Sequence, residues 1–277
     1  MDDQLVSDNS RQRVTLRPHF SRPDHLVART FLGLILVYLF APVVVTVLFS
    51  FTTSPRLSLP IEGLTLDWYR TAFSNPLVTK ALTNSVILAV VTGVVAGTIG
   101  VLFAFGVVTL RRRVRTALLT VSLVPAVIPL LVLGIALAVF FTAIGLRQGL
   151  RNAAIGHILV ALPFVILTMN ARLETFDFST LEAARDLGAS PWQTFRDVTL
   201  PLIRPSVLGA VLLAMALSLD EFVVTWFNVG TDQTLPVVIW GLLRRGIDPS
   251  INALATVVLV SLVLLVVVSN RLNRRTV

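Results

Sequence analysis

Six stretches of the chain are apolar over the length of a membrane crossing, and short polar segments bearing arginine separate them. A hydrocarbon core of about 30 Å takes roughly 20 apolar residues in a helix. The pattern predicts spans over Phe31–Phe51, Leu82–Leu110, Thr116–Phe141, Ala153–Ala171, Ser206–Phe227 and Ile251–Asn270. The fold class that follows is all-α: a polytopic membrane protein with six transmembrane helices. Pro125 and Pro129 fall in the third span and Pro163 in the fourth. Proline removes a backbone donor and kinks a membrane helix, so each site is either a packing irregularity or a bend that lines a pathway. The first span follows an arginine-bearing start. At 21 residues it exceeds a signal-peptide core, and no small-x-small cleavage site follows it, so it reads as an uncleaved signal anchor.

Charge orients the spans. An even number of crossings puts both termini on one side. With that side cytoplasmic, the inner segments hold sixteen arginines and the outer segments seven arginines and lysines. This agrees with the positive-inside rule. The membrane domain then covers residues 30–271, between cytoplasmic segments 1–29 and 272–277. Two outer segments carry apolar patterns too short to cross. Thr52–Ala81 has Leu66, Trp68, Tyr69 and Phe73 at helical spacing, as in an interfacial helix. Thr234–Gly246 reads as a re-entrant or interfacial piece.

Composition narrows the chemistry. Apolar residues make up 55% of the chain and charged ones 14%, which excludes an ordinary water-soluble domain. The net charge of +8 lies in topogenic clusters rather than on a nucleic-acid face. There is no cysteine, and His19, His25 and His157 lack metal-ligand spacing. The single lysine, Lys80, precedes Ala81, so no phosphate-binding Gly-Lys-Ser/Thr loop exists on this chain.

The cytoplasmic loop 174–205 is the most informative segment. Ser179-Thr180-Leu181-Glu182 has the form of a capping box, and Gly188 stands where a left-handed residue ends a helix. Ser190-Pro191-Trp192-Gln193 is a second capping box, with proline at the first helical position. The expected structure is two short helices joined at Gly188, the second running to about Val198 and stopped by Pro201 and Pro205. Ala183 and Ala184 offer a low-relief face, with Glu182, Arg185 and Asp186 around it. Such a pair is either a solvated connector or a docking element.

The string Glu182-Ala183-Ala184-x-x-x-Gly188, followed after nine residues by Val198-x-Leu200-Pro201, resembles the EAA loop of ABC importer permeases. Every spacing agrees, and Val198 stands where that family usually has Ile. The resemblance covers the chain from the first span to the last and implies a type I importer permease fold. It implies that Glu182, Ala183, Ala184, Arg185, Asp186 and Gly188 couple to an ATP-binding subunit. ATP and magnesium would then be bound by that partner, with no cofactor on this chain. The implied partners are two ATP-binding cassette subunits, a second permease subunit, an extracytoplasmic binding protein and membrane lipid. The implied location is the bacterial inner membrane.

Three further stretches resemble the second permease subunit of spermidine/putrescine importers: Leu66-Asp67-Trp68-Tyr69, Ser218-Leu219-Asp220-Glu221-Phe222 and Asn252-Ala253-Leu254-Ala255-Thr256. Permeases for ferric iron, sulfate and other small solutes share parts of them. That family often has Asp-Asp where this chain has Asp220-Glu221. Acids near the end of an apolar span are costly to bury and normally meet water, a cation or a cavity. Ser218, Glu221, Thr225 and Asn228 recur at helical spacing, which predicts one polar stripe on an apolar rod. Ser218, Asp220, Glu221 and Thr225 are thus candidates for lining a cationic substrate path. The alternative is that one acid caps local backbone or pairs with Arg244 or Arg245. A secondary transporter would show repeat halves, and a membrane enzyme would show a catalytic cluster in its spans; neither pattern is evident.

Overall fold

A computed structural model describes residues 22–55, 60–244, 246 and 249–274. Most of the expected 1–29 segment, Arg56, Arg245 and the end of the tail lie outside these residues. The chain divides into two units, Met1–Val45 and Thr46–Val277. The first holds most of α1 (Arg22–Phe49), whose stretch Leu26–Phe49 is apolar enough to cross a membrane.

The second unit is helical nearly throughout. Outside its helices, Thr52 and Leu64 form an isolated antiparallel bridge. A short α2 (Asp67–Ser74) leads into α3 (Pro76–Val108), which begins six residues before the expected second span. The Asn-Pro pair explains the extension. Asn75 Oδ1 accepts from the Leu77 N–H at 2.9 Å, and Pro76 takes a position that needs no donor.

The third expected span is not one rod. It is divided into α4 (Arg112–Ser122), α5 (Val124–Val127) and α6 (Leu130–Ala143). Pro125 sits in the first turn of α5 and Pro129 stands at the N-cap of α6. Ile128 between them is extended at ψ 128°, as a residue before proline prefers. The prolines therefore break this helix rather than kink it. By contrast, Pro163 is carried inside α7 (Leu150–Glu174) without a break.

The cytoplasmic loop forms α8 (Ser179–Asp186) and α9 (Pro191–Gln193). A π-helical turn, Thr194–Thr199, then runs directly into α10 (Leu200–Asp220). Pro201 and Pro205 do not stop the second loop helix, so Pro191–Asp220 is one 30-residue rod. The wide turn immediately before Pro201 resets the hydrogen-bond register where proline offers no donor, and the Thr199 hydroxyl donates to the Thr194 carbonyl at 3.2 Å. The fifth span also ends earlier than expected. Glu221 is extended at ψ 108°, and a separate α11 (Val223–Asn228) follows. The chain closes with α12 (Leu235–Leu243) and α13 (Pro249–Arg274). Among the described residues, five helices are long and apolar enough to cross a membrane, and the divided third segment contributes the shorter apolar α6.

The core lies where α3, α7 and α10 meet. Ala96 and Ala104 of α3, Ala161, Val165 and Met169 of α7, and Ala210 and Ala214 of α10 are buried together. Small residues permit this approach. A Cβ at Gly93 would stand 3.1 Å from the Val211 carbonyl oxygen, and one at Gly97 would stand 2.6 Å from Val211 Cγ2. Lipid tails are as apolar as leucine, so close packing of small residues, rather than exclusion from water, holds such helices together. At the other end of α3, Asn84 Nδ2 donates to the carbonyls of Asp232 and Gln233, and Ser85 Oγ accepts from the Leu235 N–H. These bonds anchor the start of α12.

Gly97→Leu is expected to force α3 and α10 apart and to cost on the order of 1–3 kcal/mol. The measurement is the unfolding midpoint in detergent. Gly106→Leu is the control, because a Cβ there meets nothing within 4 Å. Equal losses at both positions would exclude helix packing as the cause.

Candidate coupling surface and transport site

The first loop helix is capped differently from expectation. Ser179 is the first helical residue, not the cap, and Phe178 precedes it without a side-chain cap bond. Asp177 supplies the acceptor instead: its Oδ1 receives the Ser179 hydroxyl at 2.7 Å and the Ser179 N–H at 3.0 Å. Those bonds, the hydroxyl's first, hold the Asp177 carboxyl below its ordinary range, while desolvation opposes them. A depressed carboxyl stabilises the native form above its unfolded pKa, and that contribution is lost as pH falls through the folded value. A carboxylate here also faces the positive end of the helix.

The end of α8 forms as the sequence indicates. Gly188 has φ +88°. Its N–H donates to the Arg185 carbonyl at 2.9 Å, and the Ala189 N–H donates to the Ala184 carbonyl at 3.1 Å. This pair of bonds is a Schellman ending. The second capping box is complete: Gln193 N–H donates to Ser190 Oγ at 3.3 Å, and Ser190 N–H to Gln193 Oε1 at 2.8 Å.

On α8, Glu182, Ala183, Arg185 and Asp186 are exposed and Ala184 is half-buried. Leu187 is 90% exposed and Trp192 67%. Apolar side chains left so open beside a small-residue face form a surface suited to a partner. Glu182 and Arg185 edge a groove of about 350 Å³ floored by Phe105 and Val108 of α3 and by Leu181 and Phe195. The frame behind it is fastened by polar bonds. Arg115 pairs with Glu174 at 2.9 Å and donates to Asn170 Oδ1 at 2.8 Å, and Arg172 donates to the Leu202 carbonyl at 3.0 Å.

The second candidate region is the break after α10. Asp220 is exposed, and Glu221 is buried. Both border a cavity of about 430 Å³ between the Pro125–Leu130 segment, α7 and the break. Glu221 Oε1 accepts from the Val224 N–H at 2.8 Å and so caps α11. Among the described residues Arg244 forms no ion pair with either acid; its guanidinium lies 5.3 Å from the Trp240 ring centre.

The polar stripe expected on one rod is divided by the break at Glu221, and its hydroxyls turn inward. Ser218 and Thr225 are buried, and both meet His157 of α7. His157 Nδ1 lies 2.7 Å from Ser218 Oγ, and Nε2 lies 2.6 Å from Thr225 Oγ1. Asn228, also buried, donates to the carbonyls of Gly134 and Val224. Sequence reasoning missed His157 because it asked only about metal spacing. An ionisable residue inside a predicted span was itself the available signal.

The other two stretches serve packing. Trp68 Nε1 donates to the Thr52 carbonyl at 2.6 Å, and the Tyr69 hydroxyl lies 2.7 Å from Ser50 Oγ. Ala253 and Leu254 of α13 are buried, and Leu254 joins an apolar cluster with Ala72 and Leu235.

Comparison with known proteins agrees with this architecture. Residues 89–277 match the model of the family described as binding-protein-dependent transport system inner membrane component. The spermidine/putrescine transport system permease protein PotC of Escherichia coli (strain K12) is 34% identical over 245 residues, covering 88% of this chain and 92% of that protein. The putrescine transport system permease protein PotI of the same strain is 31% identical over 230 residues, covering 80% and 82%. A chain of the bacterial alginate ABC transporter, crystallised with an alginate pentasaccharide-bound periplasmic protein, superposes with a TM-score of 0.67 at 18% identity, covering 91% and 95%. That last likeness bears on the fold alone. With its helical architecture, its EAA loop and its match to the family over residues 89–277, the chain belongs to the binding-protein-dependent transport system inner membrane components, the permease subunits of ABC importers.

Proposed function

We propose that this chain is the permease half of an ATP-driven importer of polyamines of the spermidine/putrescine class. Its exposed α8, with Glu182, Ala183, Ala184, Arg185, Asp186 and Gly188, docks on an ATP-binding subunit that binds ATP and magnesium and performs the hydrolysis. A second permease chain completes the pathway, and an extracytoplasmic binding protein delivers the cargo. Both termini face the cytoplasm. The observation that carries the docking role is the Schellman ending at Gly188, which holds Leu187 and the alanine face open to a partner. The cargo class rests on the names of the relatives and on the acids at the break.

Asp220 and Glu221 divide the work on a cation. Asp220 is exposed at the cavity and offers a carboxylate to an ammonium group. Glu221 is committed to the Val224 N–H and shapes the break, adding negative charge behind Asp220. Ser218 and Thr225 support the site from within rather than touching the cargo. Transport then requires that ATP bind one conformation of the assembly better than the other.

Two outcomes are expected from the assembled complex. Gly188→Val places a β-branched residue at positive φ, where it is a steric outlier. Docking should weaken, giving little assembled complex or ATP hydrolysis without uptake; normal uptake with normal ATPase stimulation by loaded binding protein would refute the coupling role. Asp220→Asn should lower uptake of labelled putrescine and spermidine per assembled complex. The loss of one contact to a charge is worth on the order of 1–3 kcal/mol, or about 5- to 150-fold in rate. Glu221→Gln keeps an oxygen acceptor for Val224 and should cost less. Unchanged uptake in the double variant, or competition by uncharged solutes instead of polyamines, would overturn the cargo assignment.

A further inference from the structure

His157 stands between the two pieces of the divided fifth span. It is 2% exposed, and one ring nitrogen meets α10 while the other meets α11. The hydrogens can be assigned by elimination. The Glu221 carbonyl only accepts, so its 2.9 Å contact with Thr225 Oγ1 uses the threonine hydrogen. The Thr225 oxygen must then accept from His157 Nε2–H. Among the described residues no ion pair includes His157, and a buried unpaired charge is costly, so the ring is neutral and Nδ1 accepts from the Ser218 hydroxyl. The hydrogen bonds run in one direction, from Ser218 to His157 to Thr225 to the Glu221 carbonyl. They end on the peptide where the helix is broken, between Asp220 and the cap that Glu221 makes on Val224.

We infer that His157 is a positioning residue for transport: through Thr225 it fixes the Glu221 peptide, and with it the direction in which Asp220 faces the cavity. The inference deepens the cationic-pathway reading and rests on it for its effect on cargo. Geometry favours this ring for the task. A planar imidazole holds its two nitrogens at a fixed separation, so it sets the spacing of α10 and α11 across the break. The same helix, α7, carries Asn170, Arg172 and Glu174 at its other end, against α4 and the start of α10. One rigid element therefore supports both the coupling frame and the acids.

The test uses the full transporter with its ATP-binding subunits and binding protein. The chain has no cysteine, so Asp220→Cys introduces its single thiol. The labelling rate of that thiol by a positively charged methanethiosulfonate, read as a mass shift of this subunit, should change about fivefold or more when His157→Leu is added. In the chain that retains Asp220, His157→Leu should raise the apparent KM for putrescine about five- to tenfold, the worth of a hydrogen bond or slightly more, with a smaller change in maximal rate. His157→Gln can still donate to Thr225 and should recover most of the loss. Thr225→Val should reproduce it and add nothing in the double variant. Should His157→Leu not assemble, the contrast between Thr225→Val and His157→Gln decides. A lower maximal rate or less complex, with KM and labelling unchanged, would assign His157 to packing and overturn the proposal. Normal uptake in Asp220→Asn alongside a shifted labelling rate would instead remove the cargo reading and leave the positioning intact.

Discussion

A peptide group inside hydrocarbon finds no water to bond, so each place where a helix stops must be answered from within the protein. That constraint organises the membrane part of this chain. The break at Pro125–Pro129 uses residues that lack a donor to lose. Where a π turn leads without a stop into α10, the Thr199 hydroxyl reaches the Thr194 carbonyl. The break at Glu221 is the most elaborate: a carboxylate takes the Val224 N–H, and the Thr225 hydroxyl takes the Glu221 carbonyl. Asn228 then reaches across to Gly134 of α6, so the separate α11 is held to a neighbour as well as to itself. Irregular backbone is tolerated where it lines a cavity or is buried in protein, and the breaks at Pro125–Pro129 and at Glu221 meet at the same 430 Å³ cavity.

The parts that were legible in the sequence are those decided locally. Long apolar runs set the crossings, and Gly188 and the Ser190 box set the loop because their chemistry involves only a few neighbouring residues. The EAA spacing was readable for the same reason. What escaped was decided by partners distant in the chain. Hydropathy cannot distinguish a bent rod from a broken one, so Pro125 and Pro129 were read with Pro163, although only the first two divide a helix. The Ser179 box failed by competition: Asp177, two residues earlier, is an anionic acceptor and took the hydroxyl that was to act as a cap. Ser218, Glu221 and Thr225 were read as one stripe on a single rod, but the chain breaks at Glu221 and the hydroxyls of Ser218 and Thr225 turn inward. That inward direction was not legible, because the residue the two hydroxyls face, His157, lies some sixty positions away.

Helix packing completes the frame. Three helices, α3, α7 and α10, approach closely because glycines and alanines line their seams. Polar bonds are placed at the ends, with Arg115, Asn170 and Glu174 near the loop and Asn84 and Ser85 near α12. The apolar middle gives rigidity and the polar ends give register. The exposed loop surface at Trp192 is thereby joined to a cavity at the other end of α10 by one continuous helical rod.

The unbroken run from Pro191 to Asp220 therefore behaves as a part of fixed length. At 30 residues it measures about 45 Å. One residue more or less between its ends would shift Asp220 by about 1.5 Å and turn it by about 100°. The carboxylate would then face a helix seam or lipid instead of the cavity. Exposed side chains along the rod can vary in size where its buried alanines cannot, but its residue count has no such latitude, as with a key cut to one length.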